Sequence, residues 1–163
     1  MGATAKSPAR LAAFAYDWVG GDIHGLSAYA GTLYGHVPEI SDVVTALDKK
    51  VDQIVGDAGW TGSAASAFTK NWERDATGAN ALGVVTNLAG DIVNQLAVDL
   101  AKIENALEQA ADKTTAAGVN IGGDGKPPQV CYGDRGKEQW RGGYQSFWQQ
   151  CMQAAQQARM APP

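Results

Sequence analysis

The chain has 163 residues, 45% hydrophobic, 18% charged and 8% aromatic, with two cysteines and a formal net charge of −4. These values exclude a collagen-like chain, a disulfide scaffold and a fully disordered one, and offer no global pull toward nucleic acid. They fit one domain, or one domain with an appendage, lean in charge and rich in alanine and glycine, as closely packed helices require.

The first predicted element is a short amphipathic helix within residues 1–21. Ser7 and Pro8 offer an N-cap and first-turn pair, Leu11, Phe14, Ala15 and Trp18 share one helical face, and Gly20-Gly21 ends it. Tyr16, Asp17 and Trp18 interrupt any apolar run here, so a signal peptide is not expected. No stretch of the chain reads as long and apolar enough to span a bilayer, and no stable membrane insertion is expected.

The second element carries the most regular pattern. After Asp22, apolar residues recur at Ile23, Leu26, Ala30, Leu33, Val37, Ile40, Val44, Leu47, Val51 and Ile54, in alternating steps of three and four. This is a heptad seam, which implies packing against another long helix. Gly35 and Pro38 interrupt it chemically, but the phase continues through them. One bent helix is therefore expected rather than two.

A compact break at residues 56–63 (Gly-Asp-Ala-Gly-Trp-Thr-Gly-Ser) precedes a third element. Its stripe includes Phe68, Trp72, Leu82, Val85, Ile92, Leu96, Leu100, Ile103 and Leu107 and runs to about Thr114. Two long helices joined this tightly must fold back as an antiparallel hairpin. Leu33, Ile40, Leu47, Val51 and Ile54 are expected to form its core with Phe68, Leu96, Leu100, Ile103 and Leu107. A two-helix hairpin cannot bury both faces, so terminal helices or a partner must cover the remainder.

Residues 119–136 read as a Gly/Pro-rich linker, and 137–163 as an amphipathic helix bearing Trp140, Tyr144, Phe147, Trp148, Cys151, Ala155 and Ala158. The hairpin region, 22–118, is strongly acidic, whereas residues 119–163 hold five basic against three acidic side chains.

Chemistry-bearing patterns are sparse. Gly122-Gly123-Asp124-Gly125-Lys126 lacks the spacing of a phosphate loop, with Asn120 where the first glycine belongs and Pro127-Pro128 after the lysine. His24 and His36 have no ligand partners at metal spacing. Glu104 and Glu108 read as solvated helix-face charges. No catalytic, cofactor or metal residues are assigned, and no enzyme activity is expected. Cys131 and Cys151 leave two readings open: a disulfide closing a loop of about twenty residues, or two free thiols.

Trp60-Thr61-Gly62 stands at the joint between the two long helices. Helix, Trp-x-Gly turn and helix, in an Ala-rich acidic chain, resemble the Trp-x-Gly (WXG) superfamily of type VII (ESX) secretion substrates. The resemblance spans residues 22–118 and is most specific over 56–68. It implies an all-α fold with a helical hairpin that pairs with itself or a related partner into a four-helix bundle. It also implies export from Gram-positive or actinobacterial cells without a signal peptide, through the secretion ATPase. Longer relatives use the hairpin to target an attached effector or toxin. The chain departs from the family in its length and in its export signal, Tyr-x-x-x-Asp/Glu: Tyr132 is followed four residues on by Gly136, and Tyr144 by Trp148. A cytoplasmic adaptor or chaperone for such substrates is the alternative reading.

Overall fold

The computed structural model describes residues 6–131 and 135–160. Tyr132, named above for the export signal, lies outside them. Among the described residues the chain is all-helical, with three helices and no strand: α1, Ile23–Asp57; α2, Ser63–Ala116; and α3, Arg135–Met160.

Local chemistry sets the helix ends. Asp22 caps α1, its Oδ1 accepting the Gly25 N–H at 2.7 Å while its carbonyl accepts the Leu26 N–H. Pro38 lies inside α1, which continues through it. Both long helices end on the same device. At α1, Gly59 takes φ +58° and its N–H reaches the Gly56 carbonyl, while the Trp60 N–H reaches Val55. At α2, Gly118 takes φ +85°, its N–H bonds Thr115, and the Val119 N–H bonds Thr114. These are Schellman pairs, which need a left-handed residue that glycine adopts without a Cβ clash. The cap of α2 falls on Gly62, whose carbonyl accepts the Ser66 N–H, rather than on Ser63.

The expected N-terminal helix is not formed: residues 6–22 have no helical turn. A helix this short is marginal in water, and here tertiary acceptors take its backbone donors. Ala9 N–H donates to Asn94, Tyr16 N–H to Glu108, and both Trp18 and Val19 N–H to Glu104.

The described residues pack as two compact units, Ala28–Val93 with residues 6–8, and Ala9–Ser27 with the described residues from Asn94 to Met160. The sequence division at 22–118 and 119–136 followed the helices, whereas these units each take part of α1 and part of α2.

In the first unit, α1 packs on α2 through small residues. Ala30, Tyr34, Val37, Val44 and Val51 are buried with Ala65 and Ala76, and Val37 lies against Gly83. Tyr34 Oη donates to Asp91 at 2.9 Å, and the Trp72 indole donates to Asp48. Partner numbers in α2 therefore fall as those in α1 rise. A Cβ on Gly90 would stand 2.5 Å from the Tyr34 ring, a ring anchored by Asp91, while one on Gly78 would meet nothing within 4 Å. Alanine is expected to act in opposite directions at these two sites. Gly78→Ala should stabilise by ~0.5–1 kcal/mol through helix propensity, whereas Gly90→Ala should destabilise by ~1 kcal/mol net because overpacking exceeds that gain. Urea midpoints of the two variants test this ordering.

In the second unit, Val19, Ile23, Ala97, Leu100, Ala101, Leu107, Ala111, Tyr144, Cys151 and Ala155 form the buried core. The segment after Gly118 belongs to this unit and is no free spacer. Val119 is 1% exposed, Ile121 packs on the core, and Gly125 O accepts the Tyr144 hydroxyl at 2.6 Å. The Trp18 indole donates to Gly123 O at 3.0 Å.

Candidate functional site

No group of three or more His, Cys, Asp or Glu converges among the described residues to hold a metal ion. His36 Nδ1 instead lies 2.7 Å from Glu39, and the His24 ring tilts against Phe14. What the first unit does present is a helix joint and a set of exposed apolar side chains.

At the joint, Trp60 occupies the position after the left-handed glycine. A hydrophobic residue there normally packs back on the helix it terminates. Val119, in the equivalent place after α2, is sealed, but Trp60 is 39% exposed. Its ring tilts against half-buried Phe68 at 5.4 Å between centroids. Beside it a groove of about 490 Å³ is lined by Val55, Trp60, Thr61, Gly62, Ala65, Ser66, Thr69, Lys70 and Glu73. Thr61 and Gly62 thus both border the groove, and Gly62, at φ +88°, holds a backbone turn that a side chain would strain.

The heptad seam of α1 divides. Ala30, Val37, Val44 and Val51, seven residues apart, face inward. Of the alternate set, Leu33 and Ile40 are half-buried, while Leu47 and Ile54 are 45% and 53% exposed. On α2 Gly83 and Gly90 meet α1 and Ala65 and Ala76 are buried, while Leu82, Val85, Leu88 and Ile92 stay outward, each at least 42% exposed. Ten of the fourteen exposed large hydrophobics among the described residues belong to this unit. Single exposed apolar residues are ordinary on a protein surface, so it is their concentration in one unit that sets this unit apart.

The predicted pairing of α1 with Leu96, Leu100, Ile103 and Leu107 is corrected. Leu100 and Leu107 are buried, and Leu96 and Ile103 packed, in the core of the second unit. The sequence stripe selected the largest aliphatics, but close helix approach favours the smallest side chains, so Ala76, Gly83 and Gly90 take the contact. The statement that no stretch reaches spanning length is also corrected. By length and composition α2 qualifies, with an 18-residue window of mean hydropathy 1.3, 22% of it buried.

Glu104, read as a solvated charge, is 0% exposed. Its two oxygens accept the Trp18 and Val19 N–H groups at 2.9 and 2.8 Å. Burial pushes its carboxyl upward against the downward pull of those hydrogen bonds, and nearby Glu108 and Asp17 push the same way as burial. The missed signal is its spacing: Ala97, Leu100, Glu104, Leu107 and Ala111 advance in steps of three and four, placing a carboxylate on the core face. Arg159, likewise unassigned, donates to the carbonyls of Val19 and Gly20. In the first unit, burial and the Asp91 hydrogen bond push the Tyr34 phenol up to about 12, while Lys6 and Tyr34 hold Asp91 below the usual carboxylate range.

Cys131 and Cys151 are free thiols, so the disulfide reading is not realised. The Cys131 N–H is held by Glu138, thirteen residues before Cys151 on the same helix. That separation is ~20 Å along the axis, far beyond the Cα spacing a disulfide spans. No protein-family model, curated protein or solved structure matches the chain.

Proposed function

We propose that the chain is a helical-hairpin module of the Trp-x-Gly type, a type VII secretion substrate or the targeting part of a larger secreted effector. It works by docking a second helical hairpin, its own copy or a related partner, on the apolar face of the first unit. The carrying observation is the exposed apolar set of that unit: Leu82, Val85, Leu88 and Ile92 on α2, with Leu47 and Ile54 exposed nearer the joint on α1. Two helices that spend their small residues on each other leave their large ones for a third and fourth helix. The exposed Trp60 and its groove supply a second contact, at the joint, for the secretion ATPase.

Export tests the role of Trp60. Trp60→Ala is expected to leave helical circular dichroism nearly unchanged, since the ring is partly exposed, while the protein disappears from the culture medium of its host. Normal secretion of that variant would remove Trp60 from the recognition step. Cell fractionation with and without the secretion ATPase completes the test: a chain that stays inside in both strains is an adaptor for substrates and not a substrate.

A further inference from the structure

A second recess lies in the other unit, between the end of α2 and the start of α3. It is an open depression of about 470 Å³ lined by Ala110, Lys113, Thr114, Gln139, Trp140, Gly143, Tyr144 and Phe147, within the size range of small-molecule sites. Three aromatic rings make its walls, and Trp140 is left exposed there although it belongs to the apolar stripe of α3. The recess is open because two of its liners, Ala110 and Gly143, are small. Nothing inside the chain demands the glycine. Gly143 lies within α3, does not take a positive φ, and a Cβ on it would meet nothing within 4 Å. Glycine is a poor helix former, so its presence weakens α3 while leaving the space beside it unfilled.

The charge at the recess has one sign. Lys113 is exposed and makes no ion pair among the described residues. Asp112 neighbours it in sequence but lies ~100° round the helix. Glu138, near the recess on α3, is occupied by Arg141 and by the Cys131 N–H. The Tyr144 hydroxyl is already donated to Gly125 O, so its ring contributes apolar surface only.

We propose that this recess binds a small amphiphilic carboxylate, with its alkyl or aryl body between Trp140, Tyr144 and Phe147 and its carboxylate on the Lys113 ammonium. An aromatic slot closed by a single cation selects a monoanion with an apolar body. A cationic amphiphile is repelled by Lys113, and a neutral one gains only the apolar contacts.

Octanoate, octanol and octylammonium, titrated into the full chain with the aromatic resonances of Trp140 and Phe147 as readout, test the assignment. Octanoate is expected to shift both rings saturably, octanol to bind about fivefold to tenfold more weakly, and octylammonium more weakly still. Lys113→Gln, a change at an exposed lysine, should bring octanoate down to the octanol level and leave octanol unchanged. Gly143→Leu should remove binding of both while helical circular dichroism holds or rises. Equal binding of octanoate and octanol, or octanoate binding unaffected by Lys113→Gln, would overturn the carboxylate site. So would shifts confined to other residues, or association with anionic vesicles but not with free octanoate.

Discussion

Glu104→Ala is expected to destabilise the protein by about 3 kcal/mol, because the Trp18 and Val19 N–H groups lose their acceptor where the Val19 donor is buried. Partial relief from burying a carboxylate keeps the loss below the full sum for two orphaned donors. Residues 9–22 have no secondary structure to fall back on, so amide exchange at Trp18 and Val19 should accelerate with the unfolding free energy. Unchanged protection at those amides would show that the segment is held by its side chains alone.

The same carboxylate gives a pH signature of definite sign. Its folded value is raised, so the folded chain binds the proton more readily than the unfolded one. The stability this contributes is complete below the unfolded carboxyl range, near ~4.3, and is lost as pH rises through the raised folded value. Glu104→Gln removes that dependence without removing every acceptor. The stability gap between wild type and Glu104→Gln should therefore widen from neutral toward mildly acidic pH in urea denaturation. A gap that narrows would mean that the two backbone hydrogen bonds outweigh burial.

The second large effect concerns association. Val85→Glu and Ile92→Glu place a carboxylate on an exposed face of α2, so each variant should retain the folded stability of the single chain. In a docked pair the same carboxylate would be buried without a partner, a cost of ~3 kcal/mol or more and hence a hundredfold or greater loss in Kd. Sedimentation of the chain alone and with hairpin partners reads this out. Arg74→Glu, at an exposed position beside Asp75, serves as the control and should leave association intact. A wild-type chain that stays monomeric with every partner and floats with lipid vesicles would replace the protein interface by a membrane one, which the hydropathy of α2 makes the competing outcome.

Much of the candidate site was legible from local chemistry. The break between α1 and α2 announces itself by glycine spacing, and Gly59, Gly62 and Gly118 all take the positive φ that their places at helix ends require. The unbroken three-four phase through Pro38 foretold one continuous α1. The N-terminal helix failed because its face pattern was real but its backbone donors had better acceptors: Asn94, Glu104 and Glu108, all more than eighty residues away. Periodicity reports which residues share a face and says nothing of what competes for the main chain.

Taken alone, the sequence determined an all-helical chain and, to within a few residues, the ends of its two long helices, because capping and three-four periodicity are local. Tertiary structure decided which face of each helix is buried. Helix α2 is apolar on two sides, and only packing chose Gly83 and Gly90 for α1 while leaving Val85 and Ile92 outside. It also decided that Glu104 is buried, that Cys131 and Cys151 stay apart, and that the chain after Gly118 is part of a core. Each of these outcomes depends on contacts between residues far apart in the chain, where close approach of small side chains and satisfaction of buried donors outweigh the preference of any single segment.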